Sequence, residues 1–459
     1  MTQSQARVET DTFGPRQIPS AAFYGSQTDR ARENFDISGR TLREWPVLIA
    51  SFGYVKEACA HANFSCGKLA EGKYIAIKAA CEAIRLGRYD GEFVVDVFQG
   101  GAGTSTNMNV NEVIANVALD ILGLPRGRYD VIHPIDHVNM SQSTNDSYPT
   151  AARLAVYALD RELTAALRSL VASFQVKAEQ FSAIPKLGRT QLQDAVPMTL
   201  GQEFSAFATT LNEDLNKLSV ISRNFAEVGL GGTAIGTGLN APEGYSDAAI
   251  AYLSEITAIP FSRSENLIEA TWDMGAFVLY SGMLKRTASK LSKISNDLRL
   301  LASGPTGGFG EIRLPARQPG SSIMPSKVNP VIPEVVNQVA FHVIGNDVAI
   351  TIAAEAGQLQ LNAMMPVIVL KTFESVRYLT RAIVALETLC VRGIEADAAA
   401  CARPLTTGVA KATALVPQIG YEAAARVAKL IDAGQTLEAA LQAAMPKSQP
   451  ENSGAPAVD

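Results

Sequence analysis

No run of eighteen or more uninterrupted apolar residues occurs in this chain of 459, so the sequence predicts no membrane-spanning helix. The amino end, Met1 to Arg16, is polar and lacks the apolar stretch of a signal peptide; the expectation is a cytoplasmic protein. Basic excess is missing as well: 40 Lys and Arg stand against 45 Asp and Glu, for a net charge of −5. Without a positive surplus to follow a phosphate backbone, nucleic acid is excluded as a partner. Cysteine is scarce and poorly spaced. Cys59, Cys66, Cys81, Cys390 and Cys401 are odd in number and form no CxxC pair, which argues against a disulfide framework and against a thiolate metal site. The four histidines, His61, His133, His137 and His342, include no HExxH, so no transition-metal centre is expected. A GxxxxGK[ST] phosphate loop is also lacking, and nucleotide hydrolysis has no support.

What is present is helical periodicity. Leu159, Leu163, Leu167, Leu170, Phe174 and Phe181 step as one face of a long helix does, and Leu211, Leu215, Leu218 and Phe225 form a second row. Leu291, Ile294, Leu298 and Leu301 make a third. Runs of such length predict a mainly all-α fold built on a long helix bundle. Alanine pairs at Ala151-Ala152 and Ala165-Ala166 permit close helix approach, so a homo-oligomer formed through the bundle is expected. Strands are expected only near the amino end, where Phe23-Tyr24-Gly25 and Phe93-Val94-Val95 interrupt the helical pattern. The tail Lys447 to Asp459, rich in Pro, Ser, Gly and Ala, reads as disordered.

Chemistry concentrates in polar clusters. Ser141-Gln142-Ser143-Thr144-Asn145-Asp146 precedes Pro149, Gly188-Arg189-Thr190-Gln191-Leu192-Gln193-Asp194 precedes Pro197, and Gly320-Ser321-Ser322-Ile323-Met324-Pro325-Ser326-Lys327-Val328-Asn329 precedes Pro330 and Pro333. Proline suits the first turn of a helix, so each cluster reads as a helix start, where unpaired N–H groups favour an anion. Gln99-Gly100-Gly101-Ala102-Gly103-Thr104-Ser105 has the same character. Taken singly, each cluster is better explained by ordinary capping; four in one chain, with glycines where a backbone must approach something, point to a carboxylate-binding site. The Gly320 to Asn329 stretch reads as a mobile catalytic loop, with Lys327 supplying a full charge.

Other motifs carry less. Gly229-Leu-Gly231-Gly-Thr-Ala234 looks like a dinucleotide fingerprint, but no strand is expected before it and no βαβ pattern surrounds it. His137 reads as structural rather than as a ligand or base. Arg189 is open between substrate binding and an internal ion pair, and Glu334 takes the ion-pair reading.

These clusters, in this order, resemble the aspartase/class II fumarase superfamily from about Phe13 to the last helical region, with Gly320 to Asn329 matching the superfamily's signature loop. Two details lean toward its deaminating members. Fumarases usually read Ser-Ser-Asn-Asp and Gly-Arg-Thr-His where this chain has Ser143-Thr144-Asn145-Asp146 and Gly188-Arg189-Thr190-Gln191. Gly188 to Phe204 and Leu267-Ile-Glu-Ala-Thr271 are also similar to aspartases.

The resemblance implies elimination of ammonia from L-aspartate to give fumarate, with Ser321 as the general base that takes the Cβ proton. Lys327, Asn329 and Thr190 would hold the α-carboxylate. Thr104, Ser143, Thr144 and Ser322 would receive the β-carboxylate, and Asn145 with Gln191 would meet the amino group. It implies no required cofactor, with Mg2+ activation left open as in some relatives. The small-molecule partner would be a dicarboxylic amino acid. The implied architecture has three domains: a mostly helical 1–142, a central long-helix 143–398 with the catalytic loop near 317–330, and a small helical 399–459. A homotetramer with a twenty-helix core and composite active sites is implied too. Met365 stands where aspartases commonly have glutamate, and Pro404-Leu-Thr-Thr-Gly408 and Leu415-Val-Pro417 also depart from the family pattern; the exact amine substrate is therefore open. Fumarate hydratase, an amine lyase acting on a related amino acid, and a non-enzymatic relative that kept the bundle are the alternatives.

Overall fold

The structure is a computed structural model that describes residues 6–406 and 412–444; the expected tail lies outside them. Helices dominate, as the periodicity predicts. After a short hairpin, β1 (Ala6–Asp11) and β2 (Gly14–Pro19), come α1 (Ser26–Asn34), α2 (Pro46–Ser65), α3 (Glu71–Arg85) and α4 (Thr104–Ile121). The long α5 (Thr144–Gln180) is followed by a second hairpin, β3 (Pro185–Thr190) and β4 (Gln193–Thr199), then by α6 (Leu200–Ile221). Further along lie α7 (Tyr245–Thr257), α8 (Leu267–Trp272), α9 (Gly275–Leu301), α10 (Val331–Glu355) and α11 (Met365–Leu389). Among the described residues, strands occur only as two-stranded ribbons.

The chain divides into two compact units. Unit 1 is Met1–Leu167, Glu213–Leu291 and Gln338–Ala382; unit 2 is Arg168–Asn212, Ser292–Asn337 and Ile383–Asp459. The rows of leucines foreseen on α5, α6 and α9 are buried, Leu163, Leu167, Leu170, Phe174, Leu211, Leu218, Leu291 and Leu298 completely. In unit 1 the apolar core is pinned by polar bonds that fix how the helices pair. Tyr280 donates to buried Asp160 at 2.8 Å, Ser281 donates to Asp347 at 2.9 Å, and Asn346 Nδ2 donates to Ser375 Oγ at 3.1 Å. Each bond satisfies a group that would otherwise be costly to bury. Unit 2 packs Phe181 edge-on to Phe204 at 5.2 Å and Phe174 edge-on to Phe207 at 5.7 Å.

Three local readings of the sequence are corrected. Pro149 does not open α5: the helix starts at Thr144 and encloses the proline, because the polar residues before it supply the helix cap themselves. Pro197 opens no helix at all; it lies in β4, opposite Leu187. The amino-terminal strands are residues 6–11 and 14–19 rather than Phe23-Tyr24-Gly25 and Phe93-Val94-Val95. The latter stretch is bonded instead to a turn, through Leu42 N–H to Val95 O and Arg43 N–H to Phe93 O, both at 3.1 Å.

By length and apolar composition α10 is the one described helix that passes for a membrane span, with 39% of its apolar window buried. Its Asp347, bonded to Ser281 and Lys285 of α9, marks it as a bundle helix. On its outer side Phe341, Ile344, Val348 and Ile352 are exposed, a row at the three- and four-residue spacing of a packing seam.

Candidate active site

In unit 1, two helix starts lie side by side. The loop before α4 takes left-handed backbone at Gly101, Ala102 and Gly103, with φ of 86°, 55° and 90°, and so delivers Thr104 to the first turn with its side chain exposed. Gly103 is required there twice over: by its φ, and because a Cβ would meet the Tyr148 ring of α5 at 2.5 Å. The start of α5 is a capping box. Ser143 N–H donates to Asp146 Oδ1 at 3.0 Å while Asn145 N–H donates to Ser143 Oγ at 3.1 Å. Capping is thus real at this cluster, and it uses the Ser143 oxygen as acceptor, which leaves its proton to donate. Asn107 Nδ2 of α4 donates to Thr144 Oγ1 at 3.1 Å, and Ser147 Oγ donates to Asn107 Oδ1 at 3.2 Å. Thr104, Ser143, Thr144 and Asn145 are therefore held at two adjoining positive helix ends, a setting that favours a carboxylate.

Behind these ends sits a buried polar network that the sequence reading missed. Asn139 Oδ1 accepts from Lys56 Nζ at 3.0 Å and from the side-chain amides of Asn107 and Asn111, both at 3.1 Å. Burial pulls the Lys56 ammonium down to about 8. Asp146 is pushed up to about 7, also by burial, against the pull of the amides that donate to it. Two of those amides are Gly231 N–H at 3.2 Å and Thr233 N–H at 3.0 Å, and Ala234 O accepts from Asn145 Nδ2 at 2.8 Å. Contrary to the sequence reading, a two-residue strand, Glu227–Val228, does precede the glycine run and pairs in parallel with Ser262–Arg263; the run itself clamps the start of α5. A signal for part of this network exists in the sequence: Asn107, Asn109 and Asn111 on one helix are poor helix formers and are all fully or nearly fully buried.

Unit 2 holds the other candidates. Thr190 ends β3, and Gln191-Leu192 form the two-residue turn of the hairpin with φ of 53° and 62°. Both central residues lie in the region that hairpin turns of this kind demand and that asparagine or glycine usually fills; placing Gln and Leu there costs ~1–3 kcal/mol each.

The signature loop is closed at its neck. Gly320 N–H donates to Lys327 O at 2.7 Å and Asn329 Nδ2 donates to Gly320 O at 3.0 Å, so the Asn329 amide also serves the loop itself. Within it, Ser321 Oγ accepts from the backbone N–H groups of Ile323 at 3.2 Å and Met324 at 3.1 Å. Ser322 and Lys327 are exposed, and Ser326 takes φ of 67°. Pro330 directly precedes α10 and Pro333 lies in its first turn, as the sequence foresaw.

The remaining candidates resolve as follows. Arg189 is an internal ion pair, 2.7 Å from Glu311. Glu334 lies 4.0 Å from Arg299. His137 accepts the His133 N–H on Nδ1 at 2.8 Å, and its Nε2 lies 2.7 Å from Lys73 Nζ; burial and then Lys73 hold its pKa down. No group of three or more His, Cys, Asp or Glu side chains suited to a metal ion occurs among the described residues.

Residues 14–345 match a family described as lyase. Aspartate ammonia-lyase of Pseudomonas canavaninivorans is 56% identical over 425 residues, covering 92% of this chain and 90% of that protein. The Escherichia coli K12 aspartate ammonia-lyase is 51% identical over 416 residues, covering 90% and 87%. Among solved structures, the fumarate lyase:delta crystallin from Brucella melitensis bound to cobalt is similar with a TM-score of 0.93 at 55% identity, covering 97% of both chains. The recombinant class II fumarase from Schistosoma mansoni gives a TM-score of 0.92 at 33% identity, over 96% and 95%.

Proposed function

Since the chain belongs to the aspartase/class II fumarase superfamily of lyases, we propose that it removes ammonia from L-aspartate to give fumarate, in a reversible carbon–nitrogen elimination. The observation that carries the mechanism is the setting of Ser321, whose Oγ accepts two backbone N–H groups. A serine hydroxyl is a poor base in water, and donors fixed on its oxygen stabilise the alkoxide that can take a proton.

Ser321 takes the Cβ proton of aspartate, and the C–H electron pair moves into the neighbouring β-carboxylate. Ser143, Thr144 and Ser322 donate to the doubly charged aci-carboxylate, whose stabilisation is where donors placed in advance lower the barrier; Thr104, whose hydroxyl donates to Gly101 O at 2.7 Å, joins them by turning from that carbonyl to the substrate. Lys327, Asn329 and Thr190 hold the α-carboxylate, and Asn145 and Gln191 meet the amino group. The electron pair then returns to form the C=C bond as the C–N bond breaks and ammonia departs. Because the carboxylate serves as the electron sink, this scheme assigns no step to a cofactor. Mg2+ enters the proposal only as an activator, checked by assay with the ion added and chelated.

We assign the active form to a homotetramer in the cytoplasm, with sites shared between subunits. The exposed row Phe341, Ile344, Val348 and Ile352 on α10 supports a buried seam between copies, since such a row is costly to leave in water.

The test offers purified protein L-aspartate, L-malate and a panel of other amino acids, and follows alkene absorbance and released ammonia. Ammonia and fumarate from aspartate are expected. Fumarate from malate alone would replace the reading with a hydratase, ammonia from another amino acid would move the substrate, and silence on every compound would leave a non-enzymatic relative.

A further inference from the structure

The β3–β4 ribbon that carries Thr190 and Gln191 does not fix the direction of its own tip. Its pairs run from Pro185 opposite Thr199 to Leu187 opposite Pro197 and then slip, so that Arg189 faces Asp194 and both Ala195 and Val196 lie against Gly188. Such two-against-one irregularities bend and twist a ribbon, and Pro197 has no N–H to give at the slip. Beyond it only two residue pairs and the strained Gln191-Leu192 turn remain.

Glu311 supplies what the ladder lacks. Its carboxylate is almost wholly buried, at 1% exposure, and lies 2.7 Å from Lys186 Nζ and 2.7 Å from Arg189 Nη1. Side chains three apart on a flat strand leave from opposite faces, yet here one carboxylate takes both, one on each side of Gly188. Lys186 is also paired with Glu203 at 2.5 Å, and the Arg189 guanidinium lies over the Phe309 ring at 4.1 Å. The post itself is anchored through its backbone: Glu311 N–H donates to Leu301 O at 2.9 Å, and Glu311 O accepts from Asp397 N–H at 2.9 Å.

We infer that Glu311 is a positioning residue: by gripping Lys186 and Arg189 across the slipped ladder, it sets where Thr190 and Gln191 present themselves to substrate. The inference rests on the reading of those two residues as substrate contacts. Arg189 is the neighbour of Thr190 in the chain, so releasing its guanidinium releases the turn.

The experiment compares Glu311→Gln and Arg189→Met with wild type in steady-state kinetics and in affinity for succinate, a non-reacting dicarboxylate. Glu387→Gln serves as the comparator; Glu387 is a buried carboxylate of the same unit, bonded to Ser169, Ser173 and Arg392 and not to the hairpin. Glu311→Gln is expected to raise KM, weaken succinate and lower kcat/KM about 10²-fold, the cost of a misplacement of about 1 Å. Glu387→Gln should lower Tm but keep kcat/KM within about twofold. Arg189→Met leaves Glu311 paired with Lys186, so it decides the matter if Glu311→Gln does not fold, and the same loss is expected. A folded Glu311→Gln or Arg189→Met chain with kcat/KM and succinate affinity within about twofold of wild type would overturn the inference. Wild-type protein active on malate instead of aspartate would change the substrate assignment alone, and the same ratios would then be read on malate. Wild-type protein that turns over no substrate and binds no succinate would remove the reading beneath it.

Discussion

Asn107 Nδ2 donates to Thr144 Oγ1 across 3.1 Å, joining the first turns of α4 and α5. The bond aims the Thr144 hydroxyl, with its oxygen already occupied as acceptor, so that its proton is the group left to offer. Thr144→Val keeps the shape and removes that donor. If Thr144 stabilises the aci-carboxylate, kcat falls about 10²–10³-fold, as for loss of one oxyanion donor, while the lost internal bond costs only ~1 kcal/mol of stability. Kinetics and thermal melts on the same preparation separate the two effects.

Asp146 gives a pH signature. An unfolded aspartate releases its proton near 3.8, whereas burial pushes this one up to about 7. Between those values the native chain holds a proton that the unfolded chain has lost, so the contribution of Asp146 to stability is full below about pH 4 and is lost as pH rises to about 7. Asp146→Asn removes the titration. The stability difference between wild type and this variant should therefore move against wild type across that window, by at most about 1.4 kcal/mol per pH unit. Urea melts at a series of pH values check it; parallel curves would contradict it.

The exposed row on α10 predicts an assembly. Phe341→Glu together with Val348→Glu puts two charges into the proposed seam, where burial of unpaired charge is expensive. Light scattering should then report a particle smaller than the wild-type oligomer, and turnover should be lost if subunits share sites. A full-sized, active particle would move the seam elsewhere.

The helices and the loop were legible because their signals are local. The rows from Leu159 to Phe174 and from Leu291 to Leu301 repeat at helical spacing, and Pro330 and Pro333 mark the start of α10 as proline does. The β3–β4 hairpin was not legible. Its turn is Gln191-Leu192, without the asparagine or glycine that announces such a turn, and Pro197 imitates a helix opener. The start of α5 was misplaced for the opposite reason: Ser143 and Asp146 cap it so well that Pro149 is carried inside. Thr104, Ser143 and Thr144 in unit 1, and Ser321 in unit 2, were readable as candidates because each is a hydroxyl beside helix-start or glycine-rich loop sequence. The residues that hold these segments escaped, because their partners are distant in sequence: Asn107 bonds Thr144 37 positions away, Asn139 bonds Lys56 83 positions away, and Glu311 pairs with Arg189 of the hairpin 122 positions away.

The most direct measurement compares wild type with Ser321→Ala, in the same oligomeric state, for turnover of L-aspartate and for succinate binding. The account predicts a loss of turnover of at least about 10³-fold with succinate affinity nearly unchanged, because the base is gone and the carboxylate donors remain. Near wild-type release of fumarate and ammonia from the Ser321→Ala protein would contradict it.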